Sequence, residues 1–329
     1  APGIQSQAQS WNGSSWTTIN SLATARTNLA GAGADNTSAL AFGGITPTAT
    51  AATEEFNAGV AVGAWSTGGD LNTARDRSAG AGTQTAGLAF GGEPPVTAVT
   101  ESYNGTSWTE VNDLNTARGQ LAGCGTNTAA LAFGGNPPAV ALTETWNGTN
   151  WTEVNDLNIG KGQLAGAGTN TSALAFGGTE VPYGQTELWN GTNWTEVNDL
   201  NTGRAELAGA GASNTAALAF GGYPDVAVTE TWNGTNWTEV ADLNTARGRL
   251  AGAGTNTAAL AFGGFNTAAT ESWNGTSWSN QNNLNTAKYW LAGAGINTAA
   301  LAIGGQSPVT AATEEWNDPG TIIKTITTS

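Results

Sequence analysis

A glycine pair recurs at Gly43/Gly44, Gly91/Gly92, Gly134/Gly135, Gly177/Gly178, Gly221/Gly222, Gly263/Gly264 and Gly304/Gly305, a period of 41 to 48 residues over seven copies. Such a period implies a solenoid, a propeller or an array, because no single unit of that size buries its apolar face alone. In the third copy, Leu121-Ala-Gly-Cys-Gly125 and Ala129-Ala-Leu-Ala-Phe133 read as two strands ending at the glycine pair. Ala141 to Trp146 and Trp151 to Val154 read as two more. Asn147-Gly148 between the last two predicts a type I′ hairpin, since both central residues of that turn need positive φ. Four strands joined by tight turns make a propeller blade.

Residue size then places the axis. The first strand of each copy is almost wholly Ala and Gly (Leu164–Gly168, Leu207–Gly211, Leu250–Gly254, Leu291–Gly295), which suits strands crowded where blades converge. The Trp-bearing strands belong further out, where the wedge between blades widens and large rings fill it.

Composition narrows the function classes. The formal net charge is -15 with only ten Lys and Arg, so phosphate backbones are repelled and nucleic acid is excluded as a partner. No apolar run reaches the length of a membrane span, and Ala1-Pro-Gly-Ile4 lacks the charged and apolar parts of a signal peptide. Cys124 is the one cysteine and takes the place of Ala167, Ala210 and Ala253 in sibling copies, which makes it a small packing residue. There is no His, so the commonest general base and metal ligand is missing. No Ca²⁺-loop pattern is present either. The expectation is no catalytic residue, no metal and no cofactor.

The apolar run ending in Gly-Gly, followed by an aromatic (Phe56, Tyr103, Trp146, Trp189, Trp232, Trp273), a Trp several residues on, and a basic residue after a Leu-containing turn, resembles the kelch repeat over residues 5 to 317. The resemblance implies a seven-bladed β-propeller, in a branch rich in Ala, Gly and Thr; kelch units more often carry Tyr at the aromatic position. The repeat texture, with the ending Ile322–Ser329, is also similar to repeat proteins of marine phages and bacteria. The first domain boundary expected is therefore at 318, with 1–318 a single propeller and 319–329 an extra strand or attachment tail. The N-terminal strand around Trp16 is expected to finish the blade begun near Leu291, closing the ring and removing exposed edges.

One acid and one base accompany every copy. Glu54, Glu101, Glu144, Glu187, Glu230, Glu271 and Glu314 precede the aromatic, and Arg26, Arg75, Arg118, Lys161, Arg204, Arg247 and Lys288 follow the Leu-Asn turn. With so few charges in the chain, these read as structural ion pairs rather than a ring of acids around a ligand. The second copy departs from the pattern, with Asn57-Ala-Gly-Val-Ala-Val-Gly-Ala64 in place of Asn-Gly before Trp65. That reads as a longer hairpin, either a lateral contact or a tolerated insertion. Asn-Gly-Ser/Thr at Asn12, Asn104, Asn147, Asn190, Asn233 and Asn274 matches a glycosylation acceptor, but hairpin geometry accounts for it without sugar.

What stays constant between copies serves the fold, and what varies is free to serve a partner. The loops after Gly-Gly vary, and so does the residue two after each basic position: Asn28, Arg77, Gln120, Gln163, Glu206, Arg249 and Trp290. One residue further on the copies read Leu, with Ser78 the exception named for its copy. These seven are expected to ring the mouth of a central channel, with Tyr183, Tyr223 and Phe265 on the same loop face. The expected function is a non-enzymatic structural or adhesive binding module on the exterior of a virion or cell. In that reading it is a capsid decoration, fibre or spike component, and the partners are other structural proteins of the particle or cell-surface glycans. A multivalent lectin, using the repeated Trp and Asn, is the alternative; a carboxylate glycosidase built on irregular acids such as Glu93, Glu180, Glu206 and Asp225 comes third.

Overall fold

In a computed structural model the chain divides into two units, Gly63–Asp318 and a second formed by Ala1–Val62 with Pro319–Ser329. The structure describes residues 63–318, Ala25, and the strands Ala8–Trp11, Trp16–Ile19, Ala30–Asp35, Ser38–Phe42, Thr53–Gly59 and Ile323–Thr328.

The larger unit is a β-propeller of six four-stranded antiparallel blades, not seven. Blade one runs Ala79–Thr83, Ala86–Phe90, Thr100–Tyr103, Trp108–Val111, and blades two to five repeat that order in sequence. Blade six takes three strands from the end of the unit, Ala292–Ile296, Ala299–Ile303 and Thr313–Asn317, and its fourth, Ala64–Thr67, from the beginning. The innermost strands touch in a closed cycle, blade six against blade one.

Ring closure thus uses an N-terminal strand, but Trp65 is its residue, not Trp16. Trp65 pairs with Trp316 just as Trp151 pairs with Trp146 within blade two. Trp16–Ile19 instead pairs with Ala8–Trp11 in a two-stranded sheet. The strands of the first Gly-Gly copy form a separate four-stranded sheet, in which Thr53–Gly59 pairs with Ile323–Thr328 at its outer side. The irregular stretch before Trp65 is therefore not a hairpin. The strands on either side of it enter different sheets, which no Asn-Gly turn would permit.

The hydrophobic core lies between blades, in six clusters among the described residues. In the cluster between blades one and two, Ala79, Ala81, Leu88 and Phe90 face Leu114, Leu121, Ala130, Ala132, Trp146 and Trp151. Phe90 sits 4.9 Å from the Trp151 ring, and Phe133/Trp194, Phe176/Trp237, Phe220/Trp278 and Phe262/Trp65 repeat that pair at 4.9 to 5.0 Å. Each of these outer Trp rings donates its Nε1–H to a Thr hydroxyl of the preceding blade, as Trp151 does to Thr100 at 3.0 Å. Apolar packing and one buried polar contact therefore fasten neighbours together at the wide end of the wedge. At the narrow end there is no space for a side chain: a Cβ on Gly252 would come within 2.7 Å of both the Gly209 carbonyl oxygen and the Phe220 ring.

The outer hairpin is a four-residue loop rather than a two-residue type I′ turn. Trp146 pairs with Trp151, and of the Asn147-Gly148 pair Gly148 alone has positive φ, 91°. Asn147 contributes through its side chain, whose Oδ1 accepts from the N–H groups of Thr149 (2.9 Å) and Asn150 (2.8 Å). Side-chain capping of the backbone explains the Asn as fully as positive φ would.

Candidate functional site

Six pairs of opposite charge sit inside the blades. Arg75–Glu101 and Arg118–Glu144 are at 2.5 Å, Arg204–Glu230 at 2.6 Å, Lys288–Glu314 at 3.0 Å and Lys161–Glu187 at 3.3 Å; Arg247 and Glu271 are also bonded. All twelve side chains are buried. In blade four, the Glu230 carboxylate also accepts from the N–H and side-chain amide of Asn201 (2.7 and 2.9 Å) and the N–H of Thr202 (3.2 Å). The pair thus clamps the segment that carries the chain into the blade. Burial draws the Lys161 and Lys288 amines below their ordinary range, and the facing Glu187 and Glu314 push back up. The pair Arg26 and Glu54 lies outside the residues whose side chains are described.

The mouth of the channel is built differently. Arg77, Gln120, Gln163, Glu206, Arg249 and Trp290 line one end of the axis around a cavity of about 100 Å³. Asn28, the seventh residue of that series, lies outside the described residues. The six are joined by their backbones: each N–H donates to the carbonyl of its counterpart one blade back, Gln120 to Arg77, Gln163 to Gln120, Glu206 to Gln163, Arg249 to Glu206, Trp290 to Arg249 and Arg77 to Trp290, at 2.8 to 2.9 Å. The circle closes with no gap.

Closing it forces all six into the left-handed region, with φ between 50° and 61°. Glycine is the low-strain residue there, and left-handed backbone costs other residues roughly 1–2 kcal/mol. All six positions nevertheless carry long side chains. Gln163→Gly is expected to raise stability by about 0.5–1 kcal/mol, strain relief outweighing the added chain entropy. Urea unfolding measures this, and a loss of stability would show that the Gln163 side chain supports the fold.

At four of the six mouth positions the preceding residue pairs with the residue just after the glycine pair, so two variable positions of one copy meet. Asp76 bonds Glu93, Gly119 bonds Asn136, Ala205 bonds Tyr223 and Tyr289 bonds Gln306 as isolated antiparallel bridges. Glu93, brought in this way, accepts from Arg77 Nη1 at 2.8 Å and from Gln120 Nε2 at 3.1 Å. Arg249 Nε donates to Glu206 at 2.9 Å. Burial raises the Glu206 carboxyl above its ordinary range, with Arg249 acting against it. Burial likewise pushes Asp76 up to about 6, Arg77 opposing and Glu93 adding to the shift.

The mouth is lopsided. On one side Arg77 lies 3.5 Å over the Trp290 ring, and Arg249 lies 4.7 Å from the Phe265 ring centre, 5.0 Å from Trp290 and 6.0 Å from Tyr223. Tyr289 links Phe265 to Trp290 at 5.3 and 5.2 Å. Tyr223 and Phe265 expose 57% and 41% of their surface, so this side offers aromatic area to solvent. The opposite side carries the amides of Gln120 and Gln163. Tyr183 is half exposed on its own loop and makes none of these ring contacts. Below the rim lie Leu121, Leu164, Leu207, Leu250 and Leu291, with Ser78 as the sixth position of that layer. Glu93, Ser78 and Tyr289 belong to the site although variability at the mouth positions alone does not select them. Ser78 was visible as a break in a leucine column.

The blade Trp rings take no part in this surface. Trp146, Trp189, Trp232, Trp273 and Trp316 are buried and donate Nε1–H to backbone carbonyls at 3.0 Å. A sugar stacked on each blade would need rings that the core has already covered. The Cys124 thiol is buried, and burial raises it to about 12, which keeps it protonated and unreactive. Among the described residues no cluster of three or more His, Cys, Asp or Glu is placed to hold a metal, and no helix is long and apolar enough to cross a membrane.

No family model matches the chain, and no curated protein matches it. Among solved structures, the structure of YjhT superposes with a TM-score of 0.60 at 13% sequence identity, covering 75% of this chain and 95% of that one. At that identity the likeness concerns the fold. The chain contains a β-propeller of four-stranded blades.

Proposed function

We propose that the protein is a non-enzymatic recognition module, carried on the exterior of a virion or cell, that takes its partner at the channel mouth. The observation that carries this reading is the ring of six long side chains at left-handed positions where glycine would be the more stable choice. Strain retained at six equivalent places favours a role outside folding. The aromatic side adds exposed, rigid contact area of the kind that anchors partners. The Glu93 and Glu206 carboxylates are tied to guanidinium groups, which disfavours their use as the acid and base of a glycosidase.

The test is binding of labelled protein to virions and cells of the source material. Trp290→Ala combined with Tyr223→Ala is expected to reduce binding tenfold or more while leaving the melting temperature nearly unchanged. Changing Thr128 and Thr171 on the opposite face is the control. Equal binding by the mouth variant and the parent protein would remove the mouth from consideration.

A further inference from the structure

We infer that the mouth binds one neutral sugar residue, seated with a hydroxyl-bearing edge over Ser78 and its apolar face against the aromatic side. The inference rests on reading the mouth as the recognition site and goes on to name the ligand class. Three observations carry it.

The first is the hydrogen-bonding capacity left over. Ser78 is 8% exposed, lines the cavity, and its Oγ has no hydrogen-bond partner. Trp290 Nε1 and Arg77 Nε, also at the mouth, are buried and unpartnered. A buried polar group without a partner is costly, and a native site keeps one where a ligand or water satisfies it. Among the tryptophans whose side chains are described Trp290 is singular: the others donate Nε1–H to a threonine hydroxyl or a backbone carbonyl. The vacant groups include two N–H donors, a hydroxyl that both donates and accepts, and the Gln163 amide that does the same. Hydroxyl groups of a ligand match such a mixed set, whereas an anion offers acceptors only.

The second is charge. Each arginine at the mouth already has its own carboxylate, Arg77 with Glu93 at 2.8 Å and Arg249 with Glu206 at 2.9 Å. No unpaired cation therefore awaits a phosphate or carboxylate, and the net charge of -15 repels anions at a distance. The third is shape. A cavity of about 100 Å³ admits part of a single ring and not a folded peptide segment. Beside it the exposed faces of Tyr223 and Phe265 match the C–H face that a pyranose presents once its hydroxyls are turned to the polar side. The ligand site is single, so recognition is by one mouth per chain rather than by one site per blade.

The experiment is a titration of the full chain with glucose, galactose, mannose, N-acetylglucosamine and N-acetylgalactosamine, followed on the Trp290 indole N–H resonance. N-acetylneuraminate and glucuronate serve as anionic counterparts, and Trp290→Phe assigns the resonance. At least one neutral sugar is expected to shift it saturably with half-saturation of about 1–10 mM, the range open to a twelve-to-fifteen-atom ligand. Ser78→Leu copies the residue of five sibling blades, so the fold has a precedent for it; it is expected to weaken that binding tenfold or more.

Three results would overturn the inference: no neutral sugar shifting the resonance, an anionic sugar binding more tightly than every neutral one, or Ser78→Leu binding as the parent does. If the sugars fail while Trp290→Ala with Tyr223→Ala still abolishes attachment to virions or cells, the ligand class is wrong and the mouth remains the recognition site for a protein partner. If that attachment is also unaffected, both readings fall.

Discussion

Replacing Trp65 by Ala is expected to cost about 3–5 kcal/mol, the range for truncating a buried Trp. Its ring is 6% exposed, lies 4.9 Å from Phe262 and 5.4 Å from Trp316, and donates Nε1–H to Thr270 at 3.0 Å. Trp194→Ala removes the equivalent contacts from blade three to blade two, to Phe133 at 5.0 Å and Thr143 at 3.0 Å, and is expected to cost as much. The two differ in consequence. Trp194 is held in a strand whose hairpin partner directly precedes it in the chain, whereas the Trp65 strand is joined to blade six by pairing alone. Loosening it uncovers Thr313–Asn317 as an edge strand, so Trp65→Ala alone is expected to give dimers or larger species by light scattering at high concentration. Urea unfolding and light scattering of both variants make the comparison. A Trp65→Ala protein that stays monomeric would show that closure does not depend on that ring.

Glu230→Ala is the second large effect, with an expected loss of about 3–5 kcal/mol because it strands a buried guanidinium. Arg204 is 1% exposed at its side chain and donates to Glu230 at 2.6 Å. The variant also orphans the Asn201 and Thr202 donors, so the segment entering blade four loses its clamp. Replacing both partners, Arg204→Met with Glu230→Leu, is expected to recover most of the loss, since two apolar side chains of similar volume need no partner. Thermal unfolding of the single and double variants measures the coupling. If Glu230→Ala lost less than about 1 kcal/mol, the pair would behave as a solvent-screened contact, contrary to its burial.

The repeat carried the architecture plainly. Ala/Gly strands marked the axis, Trp strands the rim, and the Glu and Arg of each copy were recognisable as partners because a chain so poor in charge keeps two per blade. Blade number was less legible for a physical reason. An outer strand needs only a Trp at the position facing the inner aromatic, and Trp16 and Trp65 both offer one. Nothing in that local chemistry chooses between them. The stretch Asn57 to Ala64 was the local sign, since it lacks the Asn-Gly loop that would hold the third and fourth strands together.

The mouth was half legible. Arg77, Gln120, Gln163, Glu206, Arg249 and Trp290 stood out as variation within a constant frame, and the structure gathers them around one cavity. Their left-handed backbone was not visible, because no glycine marks it. Nor was the nearness of Glu93 to Gln120, which depends on a bridge between segments of two different loops. Loop variation identifies the surface; only the register identifies which side chains meet on it.

The circle of backbone hydrogen bonds at the mouth uses no side-chain atom. Any blade can therefore be exchanged for a sibling without disturbing the hoop, and it brings its own mouth residue along. Recombination between near-identical coding repeats would then shuffle Arg, Gln, Glu and Trp around the rim one blade at a time. A lineage carrying this chain holds, in its own copies, a stock of parts for altering the side chains of the mouth while the scaffold stays the same.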